Sequence, residues 1–141
     1  MAGHVAILQR EYLDLLLSGE KKVECRLSRI KCAPYGRIAV GEHVWLKESS
    51  GPIRGRGVVT QVQYFEGLTP AKVRELHQEY NEHILGSDGF WSERRSSRYA
   101  TLIWLGGVRR VRPWRLARRG LSAWVVYEDG QALKLQRTER A

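Results

Sequence analysis

Residues 19–26 read Gly19-Glu20-Lys21-Lys22-Val23-Glu24-Cys25-Arg26, so an ammonium, a carboxylate and a guanidinium follow one another at spacings of three and two. Val23, Cys25 and Leu27 alternate with Lys22, Glu24 and Arg26, the period-two pattern of a half-buried strand. Glu24 and Arg26 then share the polar face. Lys21 stands just ahead of the strand, where its amine can turn toward the same cleft. Lysine and arginine hold phosphate, arginine with two donors at once. Glu24 can accept from the exocyclic amine of a base, or orient its basic neighbours. A dry cleft that lowered the pKa of Lys21 would turn it into a base, making Lys21 and Glu24 the candidate acid–base pair of a small hydrolase. The same residues also admit a plainer reading, a Glu24–Arg26 ion pair that ties the strand to its neighbour.

Other residues invite the same double reading. Lys47, Ser49 and Ser50 follow a strand end and either line the cleft or form an ordinary turn. Trp91 and Tyr99 lie near Arg94, Arg95 and Arg98. An aromatic ring beside arginine can stack a base while the guanidinium clamps its phosphate. Tyr99 also reads as a strand core residue, whereas Trp91 falls in a polar stretch, residues 86–98, expected to be an exposed loop. Trp104 and Trp124 sit in apolar runs and are expected in the core. Trp114, between Arg112 and Arg115, stacks on them, contacts a base or simply packs. No metal site or cofactor is expected: His77 and His83 are six apart, off one helical face, and Cys25 and Cys32 form no C-x-x-C pair. Cys25, on the apolar side of its strand, reads as a small core residue. No P-loop or dinucleotide fingerprint occurs.

The charge is unevenly placed. Residues 94–119 hold nine arginines, the last at Arg109, Arg110, Arg112, Arg115, Arg118 and Arg119, and no acid. The remaining 15 of the 24 bases equal the 15 acids, so this one window carries the net charge of +9. Localised, uncompensated arginine is the footprint of a polyanion partner. An acidic protein meeting the Arg-rich 109–119 segment is the competing reading.

These residues must be positioned by short elements. His4 to Leu8 reads as a strand, and Glu11 to Ser18 as a helix stopped by Gly19. Strands are expected at Lys22 to Leu27, His43 to Lys47, Gly55 to Phe65, and Tyr99 to Leu105 with a continuation over Val108 to Arg112. Gly55 and Gly57 suggest a bend or bulge. Thr69-Pro70 opens a second helix, with Val73, Leu76, Tyr80 and Ile84 along one face and Gly86 as its end. Pro113 to Gly120 reads as an irregular basic connection. Ala123 to Glu128 and Ala132 to Gln136 flank an Asp129-Gly130 turn, and Arg137 to Ala141 is expected to fray. Six or seven short strands and two helices imply an α+β domain with a curled or closed sheet. With 141 residues and 43% apolar content, one domain over 1–141 with a core at about 4–136 is expected. There is no signal-peptide pattern, no apolar run near the ~18 residues of a membrane span, and no disulfide framework. A cytoplasmic location without a membrane partner is the expectation.

The Gly19-x-Lys21-x-x-Glu24-x-Arg26 pattern, set between a short helix and a strand, resembles the signature of the ASCH family. Gly41-Glu42 ahead of the strand ending Trp45-Leu46-Lys47, the later β run with its helix, and Ser122-Ala123-Trp124-Val125-Val126 are similar to the family too, about residues 4–127 in all. The resemblance implies a PUA-like small β-barrel of about six strands with two or three short helices and a positively charged cleft. It also implies RNA, another nucleic acid or a modified nucleoside as partner. Lys21, Glu24 and Arg26 would form the cleft. Lys47, Ser49 and Tyr99 would flank it, with Trp91, Arg94, Arg95 and Arg98 along a basic track. Some members look like ribonucleases, and one branch hydrolyses the acyl group of N4-acetylcytidine. The lysine of that branch matches Lys21, but its nucleophile-type threonine is replaced here by Glu24.

Overall fold

The computed structural model describes residues 1–116, 122–128 and 137–138. Its strands are β1 (Ala2–Leu8), β2 (Val23–Ser28), β3 (His43–Glu48), β4 (Ile53–Glu66), β5 (Tyr99–Leu116), β6 (Trp124–Glu128) and β7 (Arg137–Thr138). The helices are α1 (Arg10–Ser18), α2 (Pro70–Ile84) and α3 (Asp88–Glu93). The strands follow the order β2-β5-β4-β3-β1-β6, with β7 on β5 off this path. Among the described residues only β1 and β3 pair in parallel. The α+β class is as the sequence implies, and the barrel takes the form of a curled sheet whose ladder leaves β2 and β6 as edges.

Each face of the sheet buries a separate cluster. Leu13 and Leu16 of α1 pack with Leu8, Val44, Leu46, Ile103 and Trp124 on one side. Val73, Leu76, Ile84 and Trp91 of α2 and α3 cover Val23, Cys25 and Leu102 on the other. Full burial of each such side chain is worth about 1.5–3 kcal/mol. The period-two reading of β2 therefore holds, but its polar face is not solvated: Glu24 is only 6% exposed.

Local chemistry explains the element ends. Gly19 takes the left-handed conformation (φ 85°) that closes α1. Thr69 caps α2 by accepting from the Lys72 N–H, and Pro70 occupies its first turn. At its other end the left-handed residue is Leu85 (φ 58°), not Gly86. Asn81 makes this tolerable, bonding both the N–H (2.8 Å) and the carbonyl (3.1 Å) of Gly86. Register shifts flank Gly55 and Gly57 in the β4–β5 ladder, as their spacing suggested. Gly55 also lets helix α1 approach, since a Cβ there would stand 2.6 Å from Leu17 Cδ2.

Three expectations need correction. Residues 86–98 are not simply an exposed loop: they contain α3, capped by the Ser87 hydroxyl accepting from Phe90 N–H at 3.1 Å. A six-residue helix has too few turns to show a period. Pro113 to Leu116 continue β5 rather than starting an irregular connection, because the shift between Gly55↔Arg110 and Ile53↔Trp114 gives proline a bulge to occupy. Arg137–Thr138 pairs with Arg115 and Leu116 where a frayed end was expected. Residues 117–120, with Arg118 and Arg119, the Asp129-Gly130 turn and the strand expected at Ala132 to Gln136 lie outside the described residues. No helix among the described residues is long and apolar enough to cross a membrane.

A buried polar chain joins β1, β6 and Glu42, the residue just ahead of β3. The Trp124 indole N–H donates to His4 Nδ1 at 3.0 Å, and His4 Nε2 stands 2.9 Å from Glu42 Oε1. An indole only donates, so Nδ1 is the bare nitrogen and Nε2 carries the proton given to Glu42. Burial holds the His4 pKa below its ordinary 6.5, outweighing the Glu42 hydrogen bond and charge. Burial works against Glu42 ionisation, but hydrogen bonds from His4, Ala39 and Ala2 prevail and hold it below 4.5. In both cases the unfolded chain binds protons more readily. Stability should therefore be full above pH 6.5, fall as pH drops below that value, and fall again below 4.5. Urea midpoints measured from pH 8 to pH 4 check this, and a flat profile across that interval would contradict it.

Candidate ligand cavity at the seam of the sheet

Arg26 lies on β2, one edge of the sheet. Its guanidinium donates to the Ala123 carbonyl at 3.1 Å, just ahead of the opposite edge strand β6, and to the Ile7 carbonyl of neighbouring β1 at 3.0 Å. It also stacks over the Trp124 ring, 5.1 Å from the centroid. One side chain thus clasps a seam that no backbone ladder closes.

The same guanidinium engages Glu24, with Nε 2.8 Å and Nη2 2.7 Å from Oε2. Lys21 reaches the other oxygen, Nζ to Oε1 at 3.4 Å. Lys21 Nζ also donates to the Ile84 carbonyl, one of the orphan acceptors in the last turn of α2. Gly19 makes this possible by turning the chain so that Lys21 enters the interior. Burial opposes ionisation of Glu24, yet Arg26 and then Lys21 hold its pKa below the ordinary 4.5. The carboxylate is charged and acts only as an acceptor.

Beside this trio opens a cavity of about 510 Å3, within the size range of small-molecule sites. Its walls come from the start of α1, β2, the Cys32–Tyr35 loop, α3, the start of β5 and the Ala123–Trp124 entry to β6. Tyr12, Tyr35, Phe90, Tyr99 and Trp124 supply aromatic surface. Phe90 meets Tyr12 edge-on at 6.0 Å, and Arg94 lies 4.0 Å over the Phe90 ring. Thr101, the cross-strand partner of Arg26, is 1% exposed and lines the cavity. Among the described residues its hydroxyl makes no hydrogen bond. A buried hydroxyl left without a partner costs about 1–3 kcal/mol, so it is a group waiting for one.

The expectation of a positive hollow is corrected by the lining itself. Its charged residues are Lys21, Arg26 and Arg94 against Glu11, Glu24 and Glu93, three of each sign. The basic excess of the sequence resides elsewhere.

The crystal structure of ASCH from Zymomonas mobilis aligns with a TM-score of 0.69, covering 90% of this chain and 88% of that one at 17% identity. Two mutant forms of the same protein align with the same TM-score at 18% identity, covering 90% of this chain and 89% and 91% of theirs. The chain has the ASCH-domain fold. No family model and no curated protein sequence matches the chain. At this identity the likeness is one of fold, and function rests on the site.

Within the ASCH fold, Lys21, Glu24, Arg26, Arg94 and Tyr99 of the sequence candidates line the cavity. Glu24 and Arg26 form the ion pair of the plainer reading, and both also line the cavity. Trp91 does not: it is 4% exposed, stacked on His77 at 4.7 Å and bonded to Asn81, so the idea of an exposed stacking platform fails. Its ring completes the core under α3, which a polar neighbourhood in sequence conceals. Arg95 is exposed and off the cavity. Arg98 borders a separate shallow depression with Arg29, Glu66, Lys72 and Tyr99. Lys47 and Ser49 are also outside the cavity; Lys47 Nζ donates to the Glu48 carbonyl and Ser49 N–H to that of Leu8. Trp114 is packed edge-on against Trp45 at 5.4 Å. Cys25 is buried, with its thiol pushed up to about 12, largely by that burial. Sequence reading missed Tyr12, Tyr35, Phe90 and Thr101. Only Thr101 left a trace, as one polar residue inside an apolar strand.

Proposed function

We propose that the chain is an RNA-binding ASCH-domain protein that takes one unpaired base into the seam cavity. Thr101 carries this reading: a buried hydroxyl without a partner among the described residues, facing an aromatic-walled hollow beside an ionised carboxylate. A lining of balanced charge suits an uncharged base better than a phosphate. Aromatic walls suit stacking, worth about 1–3 kcal/mol per base. Glu24, as a pure acceptor, favours a base with an exocyclic amine, and Thr101 supplies a second polar contact. Tyr99 is shared between the cavity and the Arg29–Lys72–Arg98 depression, so the strand leaving the cavity passes over three bases and one acid.

Calorimetric titration tests the proposal. Cytidine should bind, and uridine about tenfold or more weaker, as expected for a lost hydrogen bond to a charged group. Thr101→Val should weaken cytidine binding while leaving the free protein as stable or about 1 kcal/mol more so, because the lost hydroxyl had no internal bond. Absence of both nucleoside and RNA binding at moderate salt would sink the proposal.

A hydrolase is the second reading, favoured by the 3.4 Å contact of Lys21 and Glu24 at the cavity wall. Incubation with N4-acetylcytidine and with labelled RNA separates it. Turnover abolished by Lys21→Ala with the fold intact would support an enzyme, and clean binding without turnover a binding module.

A further inference from the structure

The positive charge absent from the cavity gathers on another surface. Arg56 of β4 is the cross-strand partner of Arg109 of β5, and Trp45 of β3 is the partner of Arg56 on its other side. A tryptophan and two arginines therefore form one row across three strands. The Arg56 guanidinium lies over the Trp45 ring at 5.3 Å. Trp45 is held in turn by its edge-on contact with Trp114 and by donating to the Tyr127 hydroxyl at 2.9 Å. Arg110, whose side chain alternates to the opposite face from Arg109, and Arg112 extend the charge along β5, and with Arg109 they are exposed.

No acid among the described residues pairs with this row. Among the described residues, Arg56, Arg109, Arg110 and Arg112 form no ion pair; the nearby Glu48 is taken by Arg54 at 2.7 Å and Arg10 at 3.3 Å. Like charges directly opposite across a ladder destabilise it. A solvated surface usually mixes both signs, and this one does not.

We infer that the β4–β5 ribbon is a second binding surface, separate from the cavity, that holds the sugar–phosphate backbone of a nucleic acid without regard to sequence. Guanidinium groups pair with phosphate through two donors each, and the Trp45 face fixes one of them in place. An acidic protein is the poorer fit. Protein interfaces deplete charge at their centre and anchor on exposed apolar side chains. The exposed large apolar residues here are Met1, Ile30, Val40 and Tyr64, none of them in this row. Ribbon and cavity would divide the work, one holding the backbone and the other a base. The ribbon's role does not depend on what the cavity takes.

The experiment uses the full chain and a fluorescent 20-nucleotide oligouridine, with affinity read across 50–200 mM salt. Each phosphate contact on a single strand contributes about 0.7 to the slope of log affinity against log salt. Replacing Arg109, Arg110 and Arg112 together by glutamine should lower that slope by about 2 and weaken binding by about tenfold or more at low salt. Cytidine titration into the same variant should be unchanged, which separates failure of the ribbon from failure of the cavity. Arg109→Gln alone keeps the Arg56–Trp45 contact and relieves the repulsion, so its melting temperature should hold or rise while its RNA affinity falls. An unchanged salt slope in the triple variant would overturn the inference. So would polyglutamate binding as tightly as the oligonucleotide at equal salt.

Discussion

Replacing Arg26 by alanine is expected to remove about 3 kcal/mol of stability, the lower end of what breaking a buried ion pair costs, and to abolish nucleoside binding. The effect is large because one side chain does four things. It pairs with Glu24, donates to the Ala123 and Ile7 carbonyls, and covers Trp124. Without it Glu24 stays buried with only the longer Lys21 contact. The two edges of the sheet lose the side chain that bridges them. Arg26→Lys should recover little, since a single ammonium cannot reach the carboxylate and both carbonyls from one position. Urea denaturation and cytidine titration read the two effects. A variant within about 1 kcal/mol of the parent would show that the seam is held by something else.

The second large effect is expected at Glu42. Its carboxylate accepts from His4 Nε2 (2.9 Å), Ala39 N–H (2.8 Å) and Ala2 N–H (3.0 Å). Glu42→Ala strands all three donors, and His4 is fully buried. At about 1–3 kcal/mol for each unsatisfied buried donor, with Ala2 able to find water, the loss should be about 3–4 kcal/mol. Glu42→Gln should lose less, because the amide keeps one acceptor. The fall in stability below pH 6.5 should deepen in either variant, since burial would then lower the His4 pKa without the Glu42 charge to oppose it. Equal stability of Glu42→Ala and the parent would contradict the role given to this chain of bonds.

What could be read from the sequence was local. Alternation at Val23, Cys25 and Leu27 marks β2, Gly19 marks the end of α1, and Thr69-Pro70 marks the start of α2, because each signal lies within a few residues of its effect. The Lys21–Glu24–Arg26 cluster was legible for the same reason. Contacts made across the sheet were not. Nothing near Arg26 in sequence announces Ile7 or Ala123 as its partners. Thr101 gains meaning only from facing Arg26 across a ladder. The arginine excess was visible as a number, but its location was not. Four arginines of the 94–119 window, Arg109, Arg110, Arg112 and Arg115, lie on β5, whereas the cavity is balanced. Trp91 shows the converse error, a residue in polar company that folding carries into the core.

The most direct test is a two-dimensional amide and indole NMR titration of the full chain with cytidine. If a base enters the seam, the indole signal of Trp124 and the amides of Thr101, Arg26 and Gly86 shift together and saturate, while those of Arg109 to Arg112 stay put. Shifts confined to the arginine ribbon, or none at millimolar cytidine, would mean that the hollow at the seam is not a base-binding site.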